Sequence, residues 1–195
     1  MFKILTKLFI VLPVLVCLSC NSEDHTKEHQ KSVAFLTDMA DVMDNMRDYT
    51  LAVYDVPEDS NMTFRPTALE MTFQEQTAHM LSNMYLQFEC FVKRDTTTDL
   101  NWAIEDAAEI MAIEDRAVLR EKLKMQFDEI SGYLRTMDAH DDWNKERVLP
   151  QFDGQPKKDL MTILMMMRDH ITHHRGQMVV YLRLMGHEPP QYKPF

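Results

Sequence analysis

Residues 169–177 have the sequence Asp-His-Ile-Thr-His-His-Arg-Gly-Gln and lie towards the end of a long apolar helical pattern. They gather three of the chain's eight histidines into five consecutive positions. His170 and His174 are four residues apart, which on a helix places two imidazoles one above the other on one face. One metal ion can bridge such a pair. A third ligand must then come from another part of the chain.

The helix that contains this stretch is predicted to run from near Lys157 to about Met185. Gly186 is its expected C-cap, and Pro189-Pro190 prevents continuation. One face of this helix is apolar before the histidines and aromatic after them, so we expect it to point into a bundle. Two unpartnered imidazoles there would cost a few kcal/mol, which metal coordination removes. The residues of that face are Ile163, Met167, His170, His174, Gln177 and Tyr181.

Three more long helical patterns precede it, over about residues 28–56, 72–92 and 115–137. Thr72, with Glu75 three residues on, predicts a capping box at the start of the second helix. A short helix is expected over 100–113, and residues 138–155 form an irregular loop that includes a short extended piece at 147–149. Four long helices with such connections predict an all-α protein, an antiparallel four-helix bundle with a short extra helix and an irregular loop before the last helix.

His79 is the candidate for the third ligand. A lone i, i+4 histidine pair is more often solvated or hydrogen-bonded than a metal site, so the pair alone does not decide the matter. His79 lies between Ala78 and Met80 in the predicted second helix. A histidine on the core side of a neighbouring helix completes a metal site in a bundle core. His173 points to one side of His174 and is a less suitable ligand; His25, His29, His140 and His187 are poor candidates.

The sequence from His170 to Gly186, followed by Glu-Pro-Pro at 188–190, resembles the C-terminal signature of the DinB-like family. Arg65-Pro66-Thr67 and the segment from Phe73 to Leu81 resemble upstream parts of the same family. The resemblance covers essentially everything after residue 30. It implies a four-helix bundle that binds one divalent metal ion through three histidines, and it assigns those ligands to His79, His170 and His174. Three imidazoles suit borderline divalent ions; zinc is favoured, with nickel, iron and manganese as alternatives.

Several neighbours of the histidines have two interpretations. Asn83 and Gln177 are candidates for orienting a histidine or a metal-bound water, or else are satisfied core amides. Glu75 is a candidate general base or fourth ligand, but the capping role is preferred. Arg175 is expected to pair with an acid from another helix, and Gly176 to let a neighbouring helix approach closely.

The N-terminus has the layout of a secretory signal: Lys3 and Lys7 precede an apolar run over residues 8–18, followed by Ser19 and Cys20. The run is shorter than the roughly 20 apolar residues that a transmembrane helix needs. Residues 18–20 resemble a bacterial lipobox, although Cys17 stands where leucine is usual.

This N-terminal pattern predicts a signal peptide over 1–19, a lipidated Cys20, an acidic tether over 20–30 and a DinB-like domain over 31–195. An uncleaved membrane anchor is the alternative. Lipidation places the protein in the bacterial cell envelope, outside the cytoplasm and bound to the membrane through Cys20. Cys90 is then the remaining cysteine apart from the lipidated one, and it is predicted to be a core residue.

The net charge of −10 argues against a nucleic-acid partner, because phosphate binding requires a basic face. An open three-histidine site predicts a metal-dependent hydrolase or transferase that acts on a small molecule outside the cytoplasm. The alternative is a non-catalytic metal- or ligand-binding envelope lipoprotein. A third interpretation is an interaction module that forms a homodimer through a helix face. No motif in the chain identifies the substrate.

Overall fold

The computed structural model describes residues 12–93, 100–138 and 157–192, with side chains from residue 26 onward. Its long elements confirm the predicted all-α class. They are α1 (Leu12–Asp55), α2 (Phe73–Gln87), α3 (Asn101–Met111), α4 (Arg116–Thr136) and α5 (Leu160–Leu184). The described residues also contain a 3₁₀ helix at Asp59–Asn61 and a π-helical turn at Phe88–Val92. The extended piece predicted at 147–149 lies outside the described residues.

The four long helices form two antiparallel pairs. α1 packs along α4, α2 packs along α5, and the short α3 lies against α2. In each pair, contacts that advance along one helix move backwards along the other, which establishes the antiparallel direction. These contacts are Asp41–Arg135 and Asp55–Arg120 between α1 and α4, and Gln76–Tyr181 and His79–His170 between α2 and α5.

The start of α2 confirms the predicted capping box. The Thr72 hydroxyl accepts the Glu75 backbone N–H at 3.1 Å, and the Glu75 carboxylate accepts the Thr72 backbone N–H at 2.7 Å. Arg65 also donates to that carboxylate, at 3.2 Å. Both carboxylate contacts serve to fix the helix start, so the capping role preferred for Glu75 is present in the structure.

Both ends of α5 have a recognisable cap. Asp159 accepts the backbone N–H of Thr162 at 2.7 Å, so the helix begins at Leu160 rather than near Lys157. At the other end Gly186 has a φ of 84°. Its N–H donates to the Arg183 carbonyl at 3.1 Å, and the His187 N–H donates to the Leu182 carbonyl at 2.9 Å. This pair of bonds is a Schellman motif, which requires the left-handed φ that glycine supplies.

Helix α1 begins at Leu12, well before the predicted start near residue 28. Pro13 is compatible with a first helical turn, and no glycine or proline interrupts residues 14–55. The backbone of the predicted tether is therefore helical. Residues 1–11 and the Cys20 side chain lie outside the described part of the chain, so the signal peptide and the lipidation stay predictions. Within the described residues, no helix combines the length and apolarity needed to cross a membrane.

The core between the helices is unusually rich in methionine. Met43, Met80, Met84, Met167 and Met178 are completely buried. Each large apolar side chain buried in this way stabilises the fold by roughly 1.5–3 kcal/mol, and the flexible thioether fills irregular gaps between helices. Cys90 is 1% exposed, which confirms its predicted place in the core.

Candidate metal centre

Packing of α2 against α5 brings the three predicted ligands together. His170 and His174 lie one turn apart on α5, with ring centroids 4.4 Å apart. His79 on α2 faces both of them, at 5.2 Å from His170 and 4.7 Å from His174 between ring centroids. One nitrogen from each ring lies within 4.8 Å of the other two. Three close histidines arranged in this way could hold a metal ion.

The histidine cluster is partly shielded from water, and this keeps the rings neutral. His174 is 8% exposed, and the other two rings are half-buried. Burial, reinforced by the neighbouring histidines, lowers the pKa of both His170 and His174 to about 4. Burial also lowers the pKa of His79. Neutral imidazole is the form that coordinates a metal, so at neutral pH the site does not have to lose protons first.

A hydrogen bond to Gln76 fixes the tautomer of His174. The Nδ1 atom of His174 is 2.6 Å from the Gln76 Oε1 atom, which can only accept. Nδ1 of His174 therefore carries the proton and donates it to Gln76, and the lone pair of the ring is on Nε2. Nε2 of His174 in turn faces Nε2 of His170 at 3.1 Å. A hydrogen-bonded second nitrogen of this kind orients a metal-binding imidazole and raises its basicity.

The donor set fits a borderline divalent ion. Without such an ion, the facing Nε2 atoms of His170 and His174 have to share one proton. The His170 Nδ1 atom is also buried without a hydrogen-bond partner among the described residues. An orphaned nitrogen is unfavourable, so the protein groups alone do not satisfy the cluster. Three neutral imidazoles with no thiolate are a donor set that zinc and its neighbours in the divalent series accept.

Gln76 itself is the site residue that the sequence prediction missed. It is 2% exposed, and besides accepting from His174 it donates through Nε2 to Gln177 at 2.5 Å and to Tyr181 at 3.2 Å. Its position three residues before His79 places it on the same face of α2. That spacing was the available signal, but a glutamine three residues before a histidine is too common to select by itself.

The two predicted orienting residues have different surroundings. Gln177 is connected to His174 through Gln76, and its Nε2 atom donates to His173 Nε2 at 2.8 Å. Asn83 accepts from Gln87 at 2.5 Å, one turn further along the same helix. The structure therefore connects Gln177 to the histidine cluster indirectly and gives Asn83 a structural contact. His173 is exposed and is outside the group of three potential ligands.

Among the described residues, the surroundings of Arg175 and Gly176 differ from those expected from the sequence. Arg175 is buried, at 6% exposed, and no carboxylate partner for it appears in the described part of the chain. Its guanidinium donates to the Thr50 hydroxyl at 3.3 Å and lies 5.0 Å from the centre of the Tyr49 ring, and burial lowers its pKa. Gly176 is exposed, and a Cβ added there would meet nothing within 4 Å. Close helix approach is therefore not the reason for that glycine.

Comparisons with known proteins agree with this architecture. The model of the DinB family matches residues 61–194. A crystal structure of a DinB-like protein from Bacillus cereus superposes with a TM-score of 0.63 at 14% identity, covering 80% of this chain and 95% of that one. A DinB-like protein from Bacillus subtilis gives a TM-score of 0.58 at 19% identity, with coverage of 80% and 98%. At these identities the likeness concerns the fold. No curated protein matches the chain.

Proposed function

Because the chain belongs to the DinB family, we propose that it holds one divalent metal ion, preferably zinc, and acts as a hydrolase or transferase on a small molecule. The proposed ligands are His79, His170 and His174. The observation that carries the proposal is the convergence of three neutral imidazoles, with the His174 tautomer fixed by Gln76. Nickel, iron and manganese remain alternatives, because the donor set alone does not distinguish them.

Three protein ligands support the catalytic part of the proposal. A zinc site with three protein ligands keeps at least one position for water or substrate, whereas structural zinc sites usually have four protein ligands. When bound, the ion supplies Lewis acidity, which polarises a carbonyl or lowers the pKa of a water or thiol. The chain itself contributes orientation: Gln76 holds His174, and Gln177 and Tyr181 hold Gln76.

The proposed compartment is the bacterial cell envelope. Its support is the N-terminal sequence alone, with its basic start, short apolar run and lipobox-like Cys20. Lipid attached to Cys20 keeps the domain on the membrane and outside the cytoplasm. Thiol cofactors that are abundant in the cytosol are scarce there, which favours a substrate that brings its own reactive group. Metabolic labelling with an alkynyl fatty acid tests this: the native chain is labelled, and Cys20→Ser is not.

The metal site has a direct test. The purified full chain, loaded with zinc and desalted, is expected to retain about one metal per chain by mass spectrometry, as a site with three protein ligands should. Alanine in place of any one of the three histidines removes most of that metal. His29→Ala, at an exposed position on α1, is the matched control and keeps it. A native chain that retains no zinc, or a His79→Ala chain that retains as much as the control, contradicts the proposal.

One observation favours a second candidate function, non-catalytic metal or ligand binding. Among the described residues the group of converging ligand atoms contains histidines only. The acid nearest to His79 in sequence, Glu75, is engaged by Thr72 and Arg65 at the helix start. A panel of esters, amides and thioesters distinguishes the two functions. If the zinc-loaded chain turns over a member of the panel and the His79→Ala variant does not, the result favours the enzyme. A metal-loaded chain without turnover favours the binding protein.

A further inference from the structure

A cavity of about 630 Å³ lies between α2, α3 and α4, on the other side of α2 from the histidines. Leu81 contributes to its wall and follows His79 by two residues, which turns it roughly 200° around the helix from the histidine face. The volume is within the range of about 300–1,000 Å³ that is typical of small-molecule sites. None of the three candidate metal ligands lines this cavity.

The cavity wall contains a buried amide without a partner. Gln126 on α4 lines the cavity and is 7% exposed. Its Nε2 atom is buried and has no hydrogen-bond partner among the described residues. Orphaned buried donors are rare in folded proteins, because each forfeits its hydrogen bonds to water without replacement. A ligand acceptor would satisfy it once the Gln126 side chain turns its amide towards the cavity.

The polar part of the cavity wall carries an excess of negative charge. Asp106 is half-buried on α3, and its Oδ2 atom accepts the Tyr85 hydroxyl at 2.5 Å. Burial and the Asp106 carboxylate raise the pKa of Tyr85, which keeps the phenol protonated as a donor. Glu109 and Glu129 add two more carboxylates, of which Glu129 is paired with Lys93 at 2.5 Å, and Lys122 is the one cationic side chain among the described residues of the wall. Such a wall attracts a cation rather than an anion.

The remaining wall is apolar and includes Leu81, Ile110 and Ile113. We propose that this cavity is a second binding site, for a small amphipathic amine that also carries a hydrogen-bond acceptor. Its apolar body packs against these three side chains. Its ammonium group faces the Asp106 carboxylate, and its acceptor takes the N–H of Gln126. The site is independent of the metal centre, and its ligand does not have to be the substrate of the histidine site.

The experiment uses three matched probes on the full chain. Phenylalaninamide has an aromatic ring, an ammonium group and a carbonyl acceptor. 3-Phenylpropanamide lacks the ammonium group, and 2-phenylethylamine lacks the carbonyl. Calorimetric or NMR titration is expected to give phenylalaninamide a Kd on the order of 0.1–1 mM, as befits a ligand of this size. Each of the other two probes binds roughly tenfold more weakly, because each lacks one of the proposed contacts.

Two variants separate the contributions of charge and hydrogen bonding. Asp106→Asn keeps an acceptor for the Tyr85 hydroxyl but removes the negative charge, and it weakens both amines roughly tenfold. Gln126→Leu weakens phenylalaninamide by about fivefold and leaves 2-phenylethylamine unchanged, since only the former has a carbonyl. Glu105→Gln is the matched control: it removes the same charge from an exposed position on α3 outside the cavity wall. It changes each affinity by less than about twofold.

Thermal unfolding tests whether Gln126 has a purely structural role. Because its amide nitrogen lacks a partner, Gln126→Leu is expected to leave the melting temperature unchanged or to raise it. The Asp106→Asn series tests the proposal even if the leucine variant fails to fold.

Three outcomes overturn the proposal. The first is the absence of saturable phenylalaninamide binding up to about 10 mM, far beyond the expected Kd. The second is a Kd for 3-phenylpropanamide equal to that for phenylalaninamide. The third is an amine affinity that changes no more in Asp106→Asn than in the Glu105→Gln control. Loss of probe binding in His79→Ala would place the probe at the metal centre and also overturns it. Retained binding in that variant supports the cavity site whether or not the metal proposal holds.

Discussion

Among the described residues, the side chain–side chain contacts between α1 and α4 are ion pairs near the surface, whereas those between α2 and α5 are hydrogen bonds between neutral groups in the interior. Arg135 and Asp41 are 2.7 Å apart, yet their side chains are 39% and 64% exposed. Gln76 and His174 are 2.6 Å apart and are 2% and 8% exposed. Water screens the first contact and is excluded from the second, so two contacts of similar length contribute different free energies to stability.

The difference between the two interfaces indicates which of them contains the candidate site. Exposed ion pairs tolerate substitution, since each contributes about 0–1 kcal/mol. A buried polar group is costly to leave unpaired, so replacing one member of a buried hydrogen-bonded pair is expected to destabilise the protein more than replacing an exposed charge. The α2/α5 interface groups its buried polar side chains around three imidazoles, and the α1/α4 interface has no comparable group among the described residues. The following predictions test that contrast.

The largest expected effect is removal of the metal. At a free zinc concentration of about 1,000 times Kd, binding stabilises the folded state by about 4 kcal/mol, which for a chain of this size corresponds to roughly 10 °C in melting temperature. Chelation with EDTA is therefore expected to lower the Tm by about that amount. Calorimetry of the loaded and chelated chain measures it, and His170→Ala provides the control, because its Tm should not respond to either treatment. An equal response in that variant means that the ion binds elsewhere.

Acid is expected to destabilise the metal-free chain next most strongly. The pKa values of His170 and His174 in the folded state are about 4, below the value of about 6.5 in an unfolded chain. Between these values the unfolded state binds more protons, so stability is complete above about pH 6.5 and is lost as the pH falls towards 4. Both rings are only partly shielded and repel each other when charged, so the combined loss is on the order of 3 kcal/mol.

Urea unfolding at several pH values measures this loss. The double variant His170→Ala/His174→Ala is expected to give a flatter profile between pH 4 and 6.5 than the native chain. The comparison uses chelated protein in both cases, so proton competition with the metal does not contribute. A native profile that is as flat as that of the double variant contradicts the neutral-imidazole description of the cluster.

Gln76→Ala is expected to cost about 1–3 kcal/mol of stability, because it leaves the Nδ1–H of His174 buried without an acceptor. Zinc affinity should fall by roughly 10–100-fold, as is usual when the residue that orients a metal-binding histidine is lost. Competition with a chromogenic chelator measures the affinity.

Two variants show whether the acceptor is what matters at position 76. Gln76→Glu keeps an acceptor for His174 and is expected to retain zinc affinity within a few-fold. Asn83→Ala removes an amide of the same helix that contacts Gln87 rather than a histidine, and it should leave the affinity unchanged. If Gln76→Ala behaves like Asn83→Ala, the hydrogen bond to His174 does not orient a ligand.

How far the sequence predicted this structure depends on the kind of signal. The capping box at Thr72 and the C-cap at Gly186 were predictable, because both are local patterns set by backbone geometry. The meeting of His79 with His170 and His174 followed from helical faces together with the family resemblance. Gln76 and Arg175 escaped prediction for one reason: their partners lie on other helices, and a helical wheel gives the face but not what opposes it.

The predicted start of α1 was wrong for a different reason. The start of α1 was placed near residue 28 because the amphipathic pattern begins there, but a helix continues until a residue stops it. Residues 14–27 contain no glycine or proline, so the helical backbone extends back to Leu12. Amphipathic periodicity locates the part of a helix that packs against a partner, and it does not locate the end of the helix.

The smallest expected effect is at the exposed α1/α4 interface. Arg135→Gln removes ion pairs with Asp41 and Asp44, each at 2.7 Å. Because these side chains are well exposed, we expect a loss of no more than about 1 kcal/mol at low salt and no measurable loss at about 0.5 M NaCl. Urea unfolding at the two salt concentrations measures it.

The same salt series applied to Gln76→Ala makes the contrast quantitative. Its loss should be the same at both salt concentrations, since a buried hydrogen bond between neutral groups is not screened by ions. The contrast is wrong if the stability loss of Arg135→Gln persists at high salt while that of Gln76→Ala disappears. In that case the α1/α4 contacts are not screened surface ion pairs, and the α2/α5 contacts are not buried neutral hydrogen bonds. If each variant behaves as expected, the salt response alone distinguishes an interface that only stabilises the bundle from one that also positions a site.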